Sequence, residues 1–237
     1  MNAMIFAAGL GTRLQPLTNN TPKALVDFRG KPLLWHAISN VIDAGAERII
    51  VNVHHFGQQV IDYLNSNQWE AEIIISDESE LLLDTGGGLV KAKSLFIPEK
   101  PVLIQNADIL LSTNIKKFIH SHNKAGNSAS LMVKKRETSR YLLFDEGFNL
   151  SGWENTVSGE VIKVNDVKVK HKLGFCGVHL IEPDLIKAMG EERPFSIVKA
   201  YLSLADKYKI GGYQISEGDK WFDVGTVNKL HEANLKF

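Results

Sequence analysis

Ile49-Ile-Val-Asn-Val53 is a short apolar run, and Val102-Leu-Ile104 repeats its character further along the chain. Neither run shows the strict alternation of a half-exposed strand. Both read as strands covered on two faces, which is the mark of a parallel sheet. Working outward, strand patterns at Met4 to Ala8, Arg48 to Val53, Glu72 to Ile75 and Val102 to Gln105 alternate with helical patterns at Leu33 to Ala44, Gln58 to Leu64 and Leu89 to Leu95. This order predicts a doubly wound α/β sheet.

The pattern changes after Asp108. A helix is expected around Ile115 to His122, then strands at Ser130 to Lys134, Tyr141 to Asp145 and Leu173 to Leu180. The polar, turn-rich stretch Leu150 to Lys172 reads as hairpins or a flap over a site. Helices at Pro183 to Met189 and Phe195 to Tyr208, a strand at Gly212 to Ile215 and a helix from Val227 complete the reading. No linker, repeat or charge block divides the 237 residues, so a single domain is expected over 1–237.

Lys and Arg number 27, as do Asp and Glu, giving no net charge. A chain that bound nucleic acid through its phosphates would need a basic excess, so no nucleic-acid partner is expected. No apolar stretch reaches the roughly 18 residues of a membrane span and no signal-peptide cleavage pattern follows the N-terminal run, which points to a cytoplasmic protein without a membrane partner. Cys176 is the only cysteine, excluding an intramolecular disulfide, and its apolar setting reads as a small core side chain. The His54-His55 and His120/His122 pairs lack the helical spacing of a zinc site.

The segment Phe6-Ala-Ala-Gly-Leu-Gly-Thr-Arg-Leu-Gln-Pro-Leu-Thr18 leaves the first strand as a glycine-rich turn. Such a turn lets backbone N–H groups close on phosphate oxygens, and Arg13 adds a planar cation. It is not a Walker loop, which requires Gly-Lys-Ser/Thr after four residues. Nor is it a dinucleotide fingerprint, because Leu14 stands at the third glycine position.

Taken with Pro22-Lys23, Leu83-Asp-Thr-Gly-Gly-Gly88, Leu103-Ile-Gln-Asn-Ala-Asp108 and Trp221-Phe-Asp-Val-Gly-Thr226, the glycine loop resembles the signature of the sugar-1-phosphate nucleotidylyltransferases, in the family's order and over essentially the whole chain. The compact branch, with N-acetylmuramate-1-phosphate uridylyltransferases and mannose- and heptose-phosphate enzymes, is the most similar. The resemblance implies a Rossmann-like, mainly parallel nucleotide-diphospho-sugar transferase fold with a small β-rich sugar-binding insertion. Its nucleotide half would span about 1–110 and its sugar half about 111–237.

It also implies a reaction, attack of a sugar 1-phosphate on the α-phosphorus of an NTP to give NDP-sugar and pyrophosphate, with Mg2+ as cofactor and NTP and sugar 1-phosphate as partners. Arg13 and Lys23 are carried over as catalytic cations, and Asp108 and Asp223 as metal ligands. Ala7, Ala8, Gly9, Gly11, Thr12, Arg13, Asp84 and Gly87 are carried over as nucleotide contacts. Gly86, Glu154, Asn155, Phe175 and Gly177 are carried over as sugar contacts. Ala107 departs from the family by replacing a glycine beside Asp108.

The acids Asp77, Glu78 and Asp84 leave the base open between uracil and guanine, with UTP favoured by the branch. Where relatives carry Glu-Lys-Pro, this chain has Glu154-Asn155, and Lys172 or Lys170 is the expected substitute for the missing lysine. The other readings are GTP with mannose or heptose 1-phosphate, a catalytically silent nucleotide-sugar sensor, and a phosphocholine-type nucleotidyltransferase. A monomer or small homo-oligomer is expected.

Overall fold

The computed structural model describes residues 1–237. In chain order the elements are β1 (Asn2–Phe6), β2 (Asp27–Phe28), β3 (Lys31–Pro32), α1 (Leu33–Asp43), β4 (Arg48–Val53), α2 (Gly57–Asn65), β5 (Glu72–Asp77), α3 (Asp84–Ala92), β6 (Val102–Asn106), β7 (Ile109–Leu111) and α4 (Ile115–Ala125). There follow β8 (Ala129–Lys134), β9 (Arg140–Phe144), β10 (Leu150–Asn155), β11 (Val161–Lys163), β12 (His171–Ile181), α5 (Pro183–Ala188), α6 (Ile197–Leu204), β13 (Ile210–Gln214), β14 (Trp221–Asp223) and α7 (Val227–Lys236).

The central sheet runs β11-β10-β9-β12-β6-β1-β4-β5, and β8 with β13 joins through β12. Strands β6, β1, β4 and β5 are mutually parallel, as the apolar runs predict. Ala3 and Ile5 of β1 pack with Leu34, Ile38 and Val41 of α1 on one side of the sheet. Met4, between them, packs with Leu89 of α3 and Tyr201 of α6 on the other. Two cores on opposite faces explain why these strands carry no polar face. No helix is long and apolar enough to cross a membrane.

Several boundaries differ from the sequence reading. β1 stops at Phe6 because the Ala7 N–H donates to the Asn52 side chain at 2.8 Å instead of extending the ladder. α3 starts at Asp84, not Leu89, so Gly86-Gly-Gly88 lies inside a helix despite its poor propensity. Packing outweighs propensity here. Phe195 bonds back to Leu83 and Gly86 and Ser196 is extended, which delays α6 to Ile197. The short antiparallel pair β7–β14 has no counterpart in the sequence reading.

Strand β12 joins the parallel sheet to the β9–β10–β11 layer. Its C-terminal part pairs with β6 and β8, and His171–Leu173 pairs with β9. Its register shifts between Phe175 and His179, around Gly177 at φ +72°. Cys176 is fully buried there, and burial pushes its thiol to about 12, as suits an inert core side chain.

His179 on β12 is also buried, its Nδ1 2.6 Å from the Tyr201 hydroxyl, and desolvation pushes its pKa down to about 3. An unfolded histidine takes up a proton below about 6.5. Between that pH and about 3 the unfolded chain therefore holds one proton more than the fold at this site. Stability should fall as pH drops through this window. Thermal unfolding of wild type and His179→Asn between pH 7 and 4.5 checks this: the variant should show the shallower dependence, and equal slopes would refute the role of His179.

Candidate active site

A cleft of about 280 Å³ opens at the carboxyl ends of β1, β4 and β6, where ligands bind in open α/β sheets. Its lining includes Phe6 to Gly9, Lys23, Asn52, Glu78, Asp84 and Asn106 to Asp108. A Cβ on Gly9 would meet nothing within 4 Å, so the loop leaves open space there. Gly11 is left-handed at φ +69° and its carbonyl accepts from Thr18 Oγ1 at 2.8 Å. A side chain there would be strained and pressed on Thr18 and Lys23, so glycine is required for shape. Thr12 and Arg13 open the following 3-10 turn.

Lys23 follows Pro22 at the start of a short 3-10 turn, and its ammonium bonds the Asp108 carboxylate. The β7–β14 ladder pairs Asp223 with Ile109, and the Val224 N–H donates to the Asp108 carbonyl at 2.9 Å. Two acids far apart in sequence, Asp108 in the turn before β7 and Asp223 at the end of β14, thus have their backbones held side by side. Asp223 also pairs with Lys229 at 3.3 Å. A Cβ at Gly225 would sit 2.8 Å from Asp223 Oδ1 and 3.1 Å from Arg13 Nη2, so Gly225 lets the Arg13 guanidinium approach this acid.

No set of three or more His, Cys, Asp or Glu side chains is arranged to hold a metal. Asp108 and Asp223 supply two hard oxygen donors, a set that fits a divalent cation drawing its other ligands from phosphate and water. Ala107 is buried in the core beside Ile109 and Cys176, so its extra methyl is accommodated by packing.

Asn52, Asn106 and the buried Glu78 line the cleft; Glu78 is one of the three acids considered above for the base, and the two asparagines carried no expected role. Asn52 Oδ1 accepts from Ala7 N, while its Nδ2 donates to Glu78 Oε1 at 2.7 Å. Glu78 Oε2 then accepts from Leu83 N at 3.0 Å. One buried network thereby ties the glycine loop, the end of β4 and the start of α3 together. Asp77 closes a turn through Ser79 N, which leaves Asp84 as the exposed acid at the cleft. Asp84 adopts φ +57°, a conformation unfavourable for a non-glycine residue.

The three glycines of α3 face protein. A Cβ at Gly86 would collide with the Phe195 ring, one at Gly87 with the Arg193 carbonyl, and one at Gly88 would lie 2.6 Å from Glu78 Oε1. The sequence reading gave Gly86 to sugar and Gly87 to nucleotide. Both instead let the helix lie against the Arg193–Phe195 segment, and neither lines the cleft.

Of the residues expected to contact sugar, Gly177 packs on Asn106 and Ile109, with a Cβ there only 3.0 Å from Asn106 Nδ2. Phe175 is partly buried and meets His179 edge-on at 5.4 Å. Glu154 on β10 is bound to Lys172 at 2.9 Å, so the lysine expected to compensate for the missing one does stand beside this acid. Asn155 has a different use: its Oδ1 accepts from Val157 N at 3.0 Å and caps the β10–β11 turn.

Residues 2–143 match the nucleotidyl transferase family model. The chain is 32% identical over 233 residues to N-acetylmuramate alpha-1-phosphate uridylyltransferase of Caulobacter vibrioides, covering 94% of this chain and 91% of that protein. It is 30% identical over 230 residues to the mannose-1-phosphate guanylyltransferase catalytic subunit beta of Drosophila pseudoobscura pseudoobscura, covering 94% of this chain but 58% of that relative. Its fold matches HddC from Yersinia pseudotuberculosis, solved with GMP-PN, at a TM-score of 0.76 and 22% identity over 100% of this chain and 99% of that one. The chain belongs to the nucleotidyl transferase family. Within it, it is a sugar-1-phosphate nucleotidyltransferase.

Removing the Asn52 side chain would leave the Ala7 N–H and a Glu78 oxygen unpaired, at roughly 1–3 kcal/mol each. Asn52→Ala should therefore lower thermal stability and raise the KM for NTP more than that for the sugar phosphate. Unchanged melting together with an unchanged NTP KM would show that the network does not hold the loop.

Proposed function

We propose that this enzyme transfers UMP from UTP to N-acetylmuramate 1-phosphate or a closely related sugar 1-phosphate, with Mg2+, releasing pyrophosphate. The observation that carries the reading is the Lys23–Asp108 pair in the lining of the glycine-loop cleft, with the backbone of Asp223–Val224 laddered onto the Asp108–Ile109 segment beside it. Identity to the Caulobacter uridylyltransferase over nearly its whole length supports the choice of substrates. GTP with mannose 1-phosphate is the second reading, favoured by the 30% identity to the Drosophila guanylyltransferase subunit.

In this reading an oxygen of the sugar 1-phosphate attacks the α-phosphorus, and the bond from that phosphorus to the α,β-bridging oxygen of the NTP breaks, the oxygen leaving with pyrophosphate. Lys23 moves from Asp108 to the α-phosphate, a mobile point charge following the developing negative charge. Arg13 holds the β and γ phosphates of the leaving group. The backbone from Ala7 to Gly11, with Thr12, closes on the nucleotide, and Asp84 accepts from the base. Asp108 and Asp223 would hold Mg2+, which would supply charge neutralisation for the phosphates. Glu154, Phe175 and Gly177 form the sugar side. A cytoplasmic location and a supply role for cell-wall or polysaccharide precursors follow from the same reading.

Pyrophosphate release should be measured for UTP, GTP, CTP, dTTP and ATP against the 1-phosphates of N-acetylmuramic acid, mannose, glucose, N-acetylglucosamine and heptose, and against phosphocholine. UTP with N-acetylmuramate 1-phosphate should be fastest; exclusive turnover of GTP with mannose 1-phosphate would install the second reading. Lys23→Ala and Asp108→Asn should each lower kcat by roughly 10²- to 10³-fold with melting preserved. Near-normal rates at saturating Mg2+ would remove those roles.

A further inference from the structure

The acceptor phosphate needs a cation, and the lysine beside Glu154 is already neutralised by that acid. Arg136, just beyond the end of β8, is held differently. Its guanidinium lies over Trp221, 4.7 Å from the ring centroid. Gly174 makes room for it, since a Cβ there would stand 2.7 Å from Nε. Nη2 donates to the Phe175 carbonyl at 3.1 Å and Nη1 to the Glu137 carbonyl at 3.4 Å. Nε is buried without any partner. No carboxylate pairs with Arg136.

A guanidinium carries five N–H donors, and stacking on an aromatic ring fixes its plane without using them. Arg136 is thus a preoriented cation with unused donors and no counter-charge. Its place is informative as well. Trp221 and Asp223 lie two residues apart on β14 and so on one face, about 7 Å along the strand. Arg13 approaches Asp223 through Gly225, while Arg136 stands on the Trp221 side. The carbonyl that Arg136 holds belongs to Phe175, two residues before Gly177, which packs on the cleft-lining Asn106.

We propose that Arg136 receives the phosphate of the sugar 1-phosphate, replacing the lysine that this chain lacks at Asn155. This rests on the sugar-1-phosphate reading above. Arg13 would then serve the departing pyrophosphate and Arg136 the incoming phosphate, one on each side of Asp223.

The test is steady-state kinetics of wild type, Arg136→Lys, Arg136→Gln and Lys172→Gln, varying each substrate at saturation of the other. Losing charge-assisted hydrogen bonds should raise the sugar-phosphate KM of Arg136→Gln roughly ten- to hundredfold, with a smaller rise in Arg136→Lys. The NTP KM should stay within about twofold. Inorganic phosphate should compete with the sugar 1-phosphate in wild type and lose that competition in Arg136→Gln. An unchanged sugar-phosphate KM, a rise shared equally by NTP, or a rise confined to Lys172→Gln would overturn the proposal. If Arg136→Gln fails to unfold cooperatively, the Arg136→Lys values decide by the same criteria. A wild type that turns over no sugar 1-phosphate would instead sink the reading beneath the proposal.

Discussion

Two phosphate-bearing substrates repel one another, and a sugar-1-phosphate nucleotidyltransferase has to hold them in contact. At 4 Å two unit charges in a medium of effective dielectric near 20 interact by about 4 kcal/mol, enough to keep substrates apart unless fixed charges oppose it. The architecture answers by ending several strands at one edge. Lys23 arrives from the loop after β1, Asp108 from the end of β6, and Asp223 from β14 across a two-strand ladder to β7. Because the backbone at Asp108 and Asp223 is set by pairing and Lys23 is bonded to Asp108, these charges would be in place before substrate arrives, which is the condition for electrostatic catalysis in the proposed reaction.

The same demand shapes the parts around the charges. A glycine loop that has to close on phosphate has weak structure of its own, and this one is anchored from outside, by Asn52 at Ala7 and by Thr18 at the Gly11 carbonyl. Glu78 extends the first anchor to Leu83, ahead of α3, and the glycines of that helix let it lie against Phe195. β12 couples the cleft to the outer layer: its bulge at Gly177 meets Asn106, and its N-terminal residues pair with β9.

The parallel sheet was legible because double coverage leaves a local trace, an apolar run without alternation, in every central strand. Lys23, Asp108 and Asp223 stand out in the sequence through motifs, and their roles there rest on the resemblance. The anchors do not stand out. Asn52 sits between Ile49-Ile-Val51 and Val53 in an apolar run, and only the fold reveals that its amide faces Ala7 and Glu78. The glycine triplet misled for a related reason: three glycines signal close approach, but the sequence does not say whether a ligand or Phe195 is approaching. Asn155 was read by its place beside Glu154, whereas an asparagine before a tight turn serves its own backbone first. Arg136 has no motif at all. Its stacking partner and the glycine that makes room for it lie far along the chain.

The balance of 27 basic and 27 acidic residues gains a local meaning in this geometry. Lys23 bonds Asp108, Lys229 bonds Asp223 and Lys172 bonds Glu154, so the site cations with flexible stems stand against carboxylates. Neither Arg13 nor Arg136 forms an ion pair, although Arg13 approaches Asp223 across Gly225. An ammonium is a strongly hydrated point charge that can be exchanged between partners, whereas a guanidinium carries a fixed fork and is more weakly hydrated. In the proposed reaction, arginines without an ion pair and paired lysines would divide the work by chemistry: the former would receive phosphate without giving up a partner, and the latter would change partner as charge moves. Under the proposed reaction this lets Lys23 leave Asp108 just as a cation takes up that carboxylate, so that neither acid nor base is left uncompensated at the sheet edge.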